Sequence, residues 1–302
     1  MLSRVTVLGE ALVDLAPAGD ERLFRAVPGG SPANVAVGLG RLGVPSSLVT
    51  GLGADAFGRL VARHARDAGV SVVVQPSPFT GMAVVTLDDA GVPSYDFALS
   101  WEPAEEPLPD GTVALHTGSL AAALGDGPAR VEAVMAAARP VATVSFDPNM
   151  RPALMGDRPR ELARVARQVA LSDVVKASEE DIAWLHPGAD PLEVAREWRA
   201  LGPALVVVTH GAGGATLLGE EEVHRPAPPV EVVDTVGAGD AFSAAFLAGL
   251  RDADLLGPDR RDALARVPAD VLETAVRAAS LTCTRPGADP PTRAELDAFA
   301  AV

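Results

Sequence analysis

The stretch VVDTVGAGDAFSAAFLAGL, from Val232 to Leu250, sets Gly237, Ala238, Gly239 and the carboxylate of Asp240 between a short apolar run and a long apolar helical run. Glycine at 237 and 239 opens backbone angles closed to other residues, so successive N–H groups can converge on one point. An amide cluster at a helix start attracts anions. The run AFSAAFLAGL is apolar on almost every face and is expected to be buried. Its N-terminal partial positive charge is then poorly screened, a setting that favours a transferring phosphoryl group. Asp240, on the rim of such a site, is placed to accept a proton from an incoming alcohol. The helix dipole is expected to keep it ionised as a modest base, and a loose phosphoryl-transfer transition state asks for little more. The same residues also read as an aspartate capping a core helix, and the stretch alone does not separate the two.

Elements able to hold such a site recur along the chain. Strand-like runs (RVTVLG, SSLVTGLG, VATVSFDP, DVVKAS, ALVVVTHG) alternate with helical stretches (PANVAVGLGRLG, DAFGRLVARHARDAG, PRELARVARQVALS, PLEVAREWRALG). This β/α alternation predicts a mostly parallel sheet with helices on both faces. The near-continuous Val/Leu/Ala strands suit a sheet covered on both sides. Two regions break the rhythm: residues 16–28, and residues 70–97 with VSVVVQP, GMAVVTLDD and PSYDFAL. Both read as strands without intervening helices, with DDAGVP as a turn. They predict either a small accessory sheet acting as a lid or an edge extension of the main sheet.

The chain has 302 residues, 48% of them in the AVILMFWYC set and 22% charged, which describes a globular protein with a substantial core. A formal charge of −15 and a pI near 4.7 oppose nucleic-acid binding, which needs a basic footprint, and weakly oppose attraction to anionic membranes. No apolar run approaches a membrane span. The N-terminal MLSRVTVLGEALVDL is interrupted by Glu10 and Asp14 and is no secretory signal, and Cys283 is the single cysteine. The expected location is cytoplasmic.

Common nucleotide motifs fail. The Walker pattern GxxxxGK[ST] is absent. GLGADA, Gly51 to Ala56, fits a loose dinucleotide fingerprint but lacks the acidic residue at the end of the next strand, which closes with Gln75 and Pro76. GLGRLG, Gly38 to Gly43, falls at the end of a helix. Both read as packing and turn glycines.

DTVGAGDAF together with the upstream PGGSPANVAVGLGRLG resembles the two signatures of the PfkB (ribokinase-like) family of carbohydrate kinases, at the family's usual separation. The resemblance covers essentially the whole chain. It implies one domain over 1–302: a three-layer α/β/α sandwich with a mostly parallel central sheet and a small β lid, here from about 16–28 and 70–100. It also implies ATP as donor, Mg²⁺, and transfer of the γ-phosphate to a sugar hydroxyl. By motif, Asp240 looks like the catalytic base and the amides of Gly237, Ala238 and Gly239 like the anion hole. Asp14 in GEALVD, with Gly30 and Asn34 in GGSPAN, resembles the sugar contacts, and carboxylate and amide groups suit adjacent hydroxyls. Asp14 also reads as a loop cap and Asn34 as a helix cap. VVVTHGAGGATL resembles the family's turn near the nucleotide phosphates, implicating Thr209, Gly211 and Gly214; an ordinary turn between two strands fits it as well. His210 in that turn is assigned no chemistry. VVKASEED aligns with the family's N-x-x-E element, which helps hold magnesium and phosphate and so implies Lys176 and Ser178 as nucleotide contacts, but Ser178 and Asp181 stand at the matching positions. Asp is a shorter oxygen ligand, so Glu180 is an alternative to Asp181 for Mg²⁺. Asp234 resembles a member of the family's monovalent-cation site, which implies K⁺, and the adenine is expected near Ala278 to Cys283.

FDPNMR, Phe146 to Arg151, resembles a segment of fructokinases and 2-keto-3-deoxygluconate kinases. Arg151 is expected either against the donor phosphates, where its planar fork suits oxyanions, or in a surface ion pair. After Gly30 the chain reads Ser31-Pro32, not the Lys-Gly of many ribokinases, and residues 80–100 hold no Lys or Arg. Both favour an unphosphorylated ketose, with fructose leading, although Arg22 or Arg25 could reach an acid sugar. Tyr95, Phe97 and Trp101 are candidates for a face against the sugar ring or for core packing of the lid. Rival readings are a 2-keto-3-deoxygluconate or nucleoside kinase of the same family, a sugar-binding regulatory protein without turnover, and, more distantly, a nicotinamide-dependent oxidoreductase. A homodimer formed by pairing of the lid sheets is a further expectation from the resemblance.

Overall fold

The computed structural model describes residues 3–19, 22–87, 93–100, 104 and 107–299. The first strands are β1 (Arg4–Leu8), β2 (Leu12–Pro17), β3 (Phe24–Gly29), β4 (Ser46–Leu52), β5 (Ser71–Pro76), β6 (Gly81–Leu87) and β7 (Pro93–Ala98). They are followed by β8 (Thr112–Gly118), β9 (Thr143–Asp147), β10 (Val174–Ser178), β11 (Leu205–Thr209), β12 (Ala215–Leu218) and β13 (Glu222–Arg225). The helices are α1 (Ser31–Arg41), α2 (Ala56–Asp67), α3 (Gly127–Ala138), α4 (Arg158–Ala170), α5 (Glu179–Leu185), α6 (Pro191–Ala200), α7 (Ala238–Asp252), α8 (Arg261–Leu264), α9 (Ala269–Cys283) and α10 (Arg293–Phe299).

Nine strands form one sheet in the order β13-β12-β11-β10-β9-β8-β1-β4-β5, parallel throughout except for β12 and β13. Alternate residues of its strands point to opposite helical layers. Val174, Leu205 and Val207 pack towards α1, α7 and α9, whereas Val175, Val206 and Val208 pack towards α3, α4, α5 and α6. A sheet covered on both faces is what the unbroken apolar strands of the sequence require. The result is a three-layer α/β/α sandwich.

A second, four-stranded sheet has the order β3-β2-β6-β7. The two readings of the helix-poor regions therefore divide. Residues 24–29, 81–87 and 93–98 belong to the second sheet, whereas VSVVVQP forms β5 and pairs with β4 as the edge of the main sheet. Its partner register explains why: Ser71 to Pro76 follow α2 directly and close a β4–α2–β5 crossover, the connection a parallel edge strand needs. The second sheet also begins earlier than expected, at Leu12. Leu12 and Ala83 meet Leu120, with Phe97 packed beside them, so Phe97 serves the packing of this sheet. Val13 of β2 is fully buried in the main core on the other face. The DDAGVP turn up to residue 92, and Trp101, lie outside the described residues.

Asp55 caps α2, accepting from the N–H of Gly58 and of Thr80 and from the Thr80 hydroxyl. GLGADA thus fills its own helix N-terminus with a carboxylate, and GLGRLG ends α1.

At the end of β8, Gly118 crosses the backbone of β9 so closely that a Cβ there would lie 1.8 Å from the Asp147 carbonyl oxygen. Neither backbone can retreat within a paired parallel ladder. Gly118→Ala is expected to lower the thermal midpoint by roughly 2–10 °C, the consequence of forcing an atom into a packed core. A melting curve that overlays the wild type would contradict this.

Candidate active site

The C-terminal ends of β9, β10 and β11, at Asp147, Ser178 and Thr209, lie side by side, and α7 begins over them. In an open α/β sheet this is the edge where ligands bind. A hollow of about 470 Å³ among Arg196, Arg199, Leu218 and Glu220 lies at the opposite ends of these strands. Its arginine Arg196 is already paired with Glu193 and Glu222.

Packing, not capping, sets the position of α7. Ten of its residues, Asp240 to Ala248 and Leu250, are buried, and the rings of Phe242 and Phe246 stack with centroids 6.0 Å apart. Burying each such aromatic or leucine contributes about 1.5–3 kcal/mol, whereas a side-chain cap contributes about 1 kcal/mol. No side chain caps α7: its N-cap is Gly237 in the left-handed region, φ 78°, pressed against Ala288. That glycine turns the chain so that the first amides of the helix face outward. The N–H of Ala238 makes a long bond to Thr235, 3.3 Å, while those of Gly239 and Asp240 have no partner among the described residues.

Asp240 is buried in the first turn, and its carboxylate accepts from the Ser31 hydroxyl at 2.6 Å and from the Asn34 side-chain amide at 2.8 Å. The two sequence signatures, more than 200 residues apart, therefore meet at one carboxylate. Asn34 is four residues into α1 and does not cap it; the N-cap is Gly30. Its amide is directed at Asp240. Ser31 enters the sequence reading only as the replacement of a Lys-Gly pair; its position next to the GG pair, on the first turn of α1, was the available signal for its bond to Asp240. The expectation that the helix dipole keeps Asp240 ionised leaves out burial. Burial is the largest influence and raises its pKa above the usual carboxylate value, opposed by Ser31, Asn34 and the charge of Lys176.

Lys176 is buried on β10 and donates to Asp147 Oδ2 at 2.8 Å. It is not projected into an open phosphate site. Burial works against its ammonium, but Asp147 beside it, with Asp181 and Asp240 beyond, more than offsets this and holds its pKa above the lysine norm.

Asp14 stands on β2 opposite Val27 and Ala83. Its carboxylate leans over Gly29, where a Cβ would meet Oδ2 at 2.2 Å, so the first glycine of the pair makes room for it and the second caps α1. No hydrogen bond or ion pair reaches this carboxylate among the described residues, so it is no loop cap. Desolvation raises its pKa to about 6 against the opposing charge of Arg151. Arg151 donates to the Asn149 side chain and to the carbonyls of Asn149 and Met150, and its charge acts on Asp14. Its charge bears on the second-sheet carboxylate, and it makes no surface ion pair among the described residues.

Asp181 forms a capping box with Ser178, and its oxygens accept from the N–H of Met150 and Ser178. Those bonds anchor α5 and occupy the carboxylate. Glu180 is exposed and without a partner among the described residues. No group of three His, Cys, Asp or Glu side chains forms a metal cage among the described residues. Thr209, Gly211 and Gly214 form the turn between β11 and β12, and Gly214 lies against the Arg225 carbonyl. His210 in this turn bonds Glu179 and Thr216. Asp234 accepts from the N–H of Val236 and Gly287, tying the loop before α7 to the chain beyond α9. Of the expected adenine segment, Ala278 and Thr282 are buried in the core, and the Cys283 carbonyl accepts from Val233 and Asp234.

Open helix-start amides beside a buried carboxylate, at the carboxyl edge of a parallel sheet and near an unpartnered carboxylate on a second sheet, define a ribokinase-like α/β sugar kinase. The chain belongs to the pfkB family of carbohydrate kinases, whose model matches residues 2–295. It is 39% identical over 281 residues to a fructokinase of Klebsiella pneumoniae, covering 88% of this chain and 89% of the relative. It is 37% identical to a fructokinase of Salmonella typhimurium, covering 83% of this chain and 85% of the relative. Among solved structures it is similar to a fructokinase with bound ATP from Xylella fastidiosa, at TM-score 0.89 and 28% identity, covering 100% of this chain and 99% of the other. A double mutant of the fructokinase from Vibrio cholerae O395, in fructose-, ADP- and potassium-bound form, gives TM-score 0.84 at 32% identity, covering 99% of this chain and 98% of the other. Among the described residues no helix is long and apolar enough to cross a membrane.

Proposed function

We propose that this carbohydrate kinase phosphorylates an unphosphorylated ketose, fructose, with ATP as donor. The observation that carries the reading is the meeting of Ser31 and Asn34 with Asp240 beside the open first turn of α7. The fructokinases named above, one with ATP and one with fructose and ADP, support it. In this reading the acceptor hydroxyl faces Asp240 and the γ-phosphoryl group rests on the amides of Gly237, Ala238 and Gly239. The sugar oxygen forms the new O–P bond as the bond from phosphorus to the bridging oxygen of ADP breaks, and the hydroxyl proton passes to Asp240. Each carboxylate oxygen keeps lone-pair capacity beyond the bonds from Ser31 and Asn34. Amides already aligned by a packed helix need no reorganisation to meet the charge that develops on the phosphoryl oxygens. Asp14 and Asn34 hold the sugar, with Arg151 steadying Asp14, and closure of the second sheet excludes water.

The donor set fits Mg²⁺, which favours one or two carboxylates plus phosphate oxygens and waters over an all-protein cage. Glu180, exposed and without a partner among the described residues, would hold it with Asp181 in support, and the ion would neutralise phosphate charge. Thr209, Gly211 and Gly214 line the donor side, and Asp234 is the candidate for a monovalent cation such as K⁺.

The absence of Lys and Arg from residues 80–100 supports a neutral sugar over a phosphorylated one. A coupled ADP-release assay with Mg²⁺-ATP over fructose, ribose, 2-keto-3-deoxygluconate and nucleosides tests the choice. Fructose is expected to give the highest kcat/KM. Preference for the acid sugar or a nucleoside would replace the substrate, and sugar binding without ADP release would replace the activity.

A further inference from the structure

Beneath the first turn of α7 lies a column of buried polar groups that phosphoryl transfer, as described, does not use. His116 on β8 bonds Ser145 on β9 at 3.0 Å, and two residues further along β9 Asp147 bonds Lys176 of the next strand, β10, at 2.8 Å. A side-chain carbon at position 239 would stand 3.0 Å from Lys176 Nζ, so the ammonium lies directly under the helix start. Asp147 is itself fixed: its Oδ1 accepts from the N–H of Asn149, and its backbone is crossed by Gly118. A buried ammonium costs several kcal/mol in desolvation unless paired, and hydrophobic residues of similar volume would serve packing as well or better. Its retention under the anion-binding turn calls for a role in charge.

We propose that the Lys176–Asp147 pair is a positioning element acting through Asp240, in which the ammonium favours the ionised base and Asp147 moderates that effect. The groups facing Asp240 are Ser31 and Asn34 from α1, Lys176 from β10 and Asp147 from β9. Both hydrogen-bond donors favour the carboxylate; Lys176 favours it by charge and Asp147 opposes it. His116, below, stays neutral because burial and the charge of Lys176 push its pKa down to about 3. The ammonium is therefore the one titratable cation acting on the base among these groups. The proposal rests on the kinase reading above, but adds that two residues away from the sugar set the pH range of its base.

The opposite signs of the two charges give a test that a merely structural role would not pass. In Lys176→Met the acid limb of the kcat/KM profile for the sugar is expected to move to higher pH, because the buried carboxylate loses its cation. In Asp147→Asn it is expected to move to lower pH, because a competing negative charge is removed while the ammonium stays. Shifts on the order of one pH unit are expected for a charge acting at this range. Lys176→Arg, which keeps the charge, is expected to keep the limb near the wild-type position whatever it does to the rate. Displacement of both limbs in one direction, or of neither, would overturn the proposal. If Lys176→Met does not fold by thermal melting, Asp147→Asn decides alone: a limb that stays or rises overturns it. Wild-type turnover, measured first, tests the kinase reading separately from the pair.

Discussion

Asp240→Asn is expected to lower kcat by roughly 10²–10⁴, the range for removal of a positioned general base, with KM for sugar and ATP changed only a few-fold. The amide keeps the shape of the carboxylate and can still accept from one of its two partners, Ser31 or Asn34, so α7 and α1 stay docked. What is lost is the place for the hydroxyl proton. Steady-state rates with both substrates varied check the split between kcat and KM. Turnover near the wild-type rate would remove Asp240 from the chemistry and leave it as the polar tie between α1 and α7. Two donors converge on this carboxylate, and each is neutral. No ion pair directly neutralises Asp240, because the nearby Lys176 bonds Asp147 instead. A base locked against its own cation would have lost its proton affinity; this one keeps it, and burial strengthens it.

Asp14→Ala acts on the other substrate contact. The expected result is a rise in sugar KM of about 10–100-fold, the loss of one or two hydrogen bonds to a charged group, with ATP KM little changed. The half-buried Asp14 carboxylate has no hydrogen-bond or ion-pair partner among the described residues, a costly arrangement unless a ligand completes it. Its pH dependence follows from the same burial. With its pKa raised to about 6, Asp14 is ionised at neutral pH and takes up a proton as pH falls through 6. A protonated carboxyl accepts sugar hydroxyls less well, so wild-type sugar KM is expected to rise below pH 6 and to be flat above 7. Asp14→Ala is expected to abolish that rise. A wild-type KM unchanged between pH 5 and 8, or a variant KM equal to the wild type, would break the proposed sugar site.

Much of this site was legible in the chain because its parts are local. Glycines beside Asp240 and an apolar run behind it mark the start of a buried helix, although they fit a capping aspartate as well as an open one. Asp14 came forward only through the resemblance of GEALVD to the family's sugar contacts; by its neighbours alone it read equally as a loop cap. The parallel sheet could be read from alternating apolar strands and amphipathic helices. By contrast, VSVVVQP has the composition of a lid strand and of an edge strand alike; only its pairing with β4 distinguishes them. The neighbouring glycines 29 and 30 were indistinguishable as letters, yet one accommodates a carboxylate from β2 and the other caps α1. Lys176 read as a phosphate contact because its motif lies near the donor side. That it turns instead to Asp147 depends on β9 and β10 being neighbours in register.

The amino-acid sequence by itself determined the glycine-rich turn ahead of an apolar helix and the order of strands and helices, and it singled out Asp240 and Asp14 as candidates, since each signal lies in residues adjacent in the chain. Only the tertiary structure decided which groups those carboxylates face: Ser31 and Asn34 at Asp240, Gly29 and Arg151 near Asp14, and the Lys176–Asp147 pair below. Partners separated by tens to hundreds of residues are brought together by strand register and helix packing, and the strength of a charge is set by the burial that packing creates.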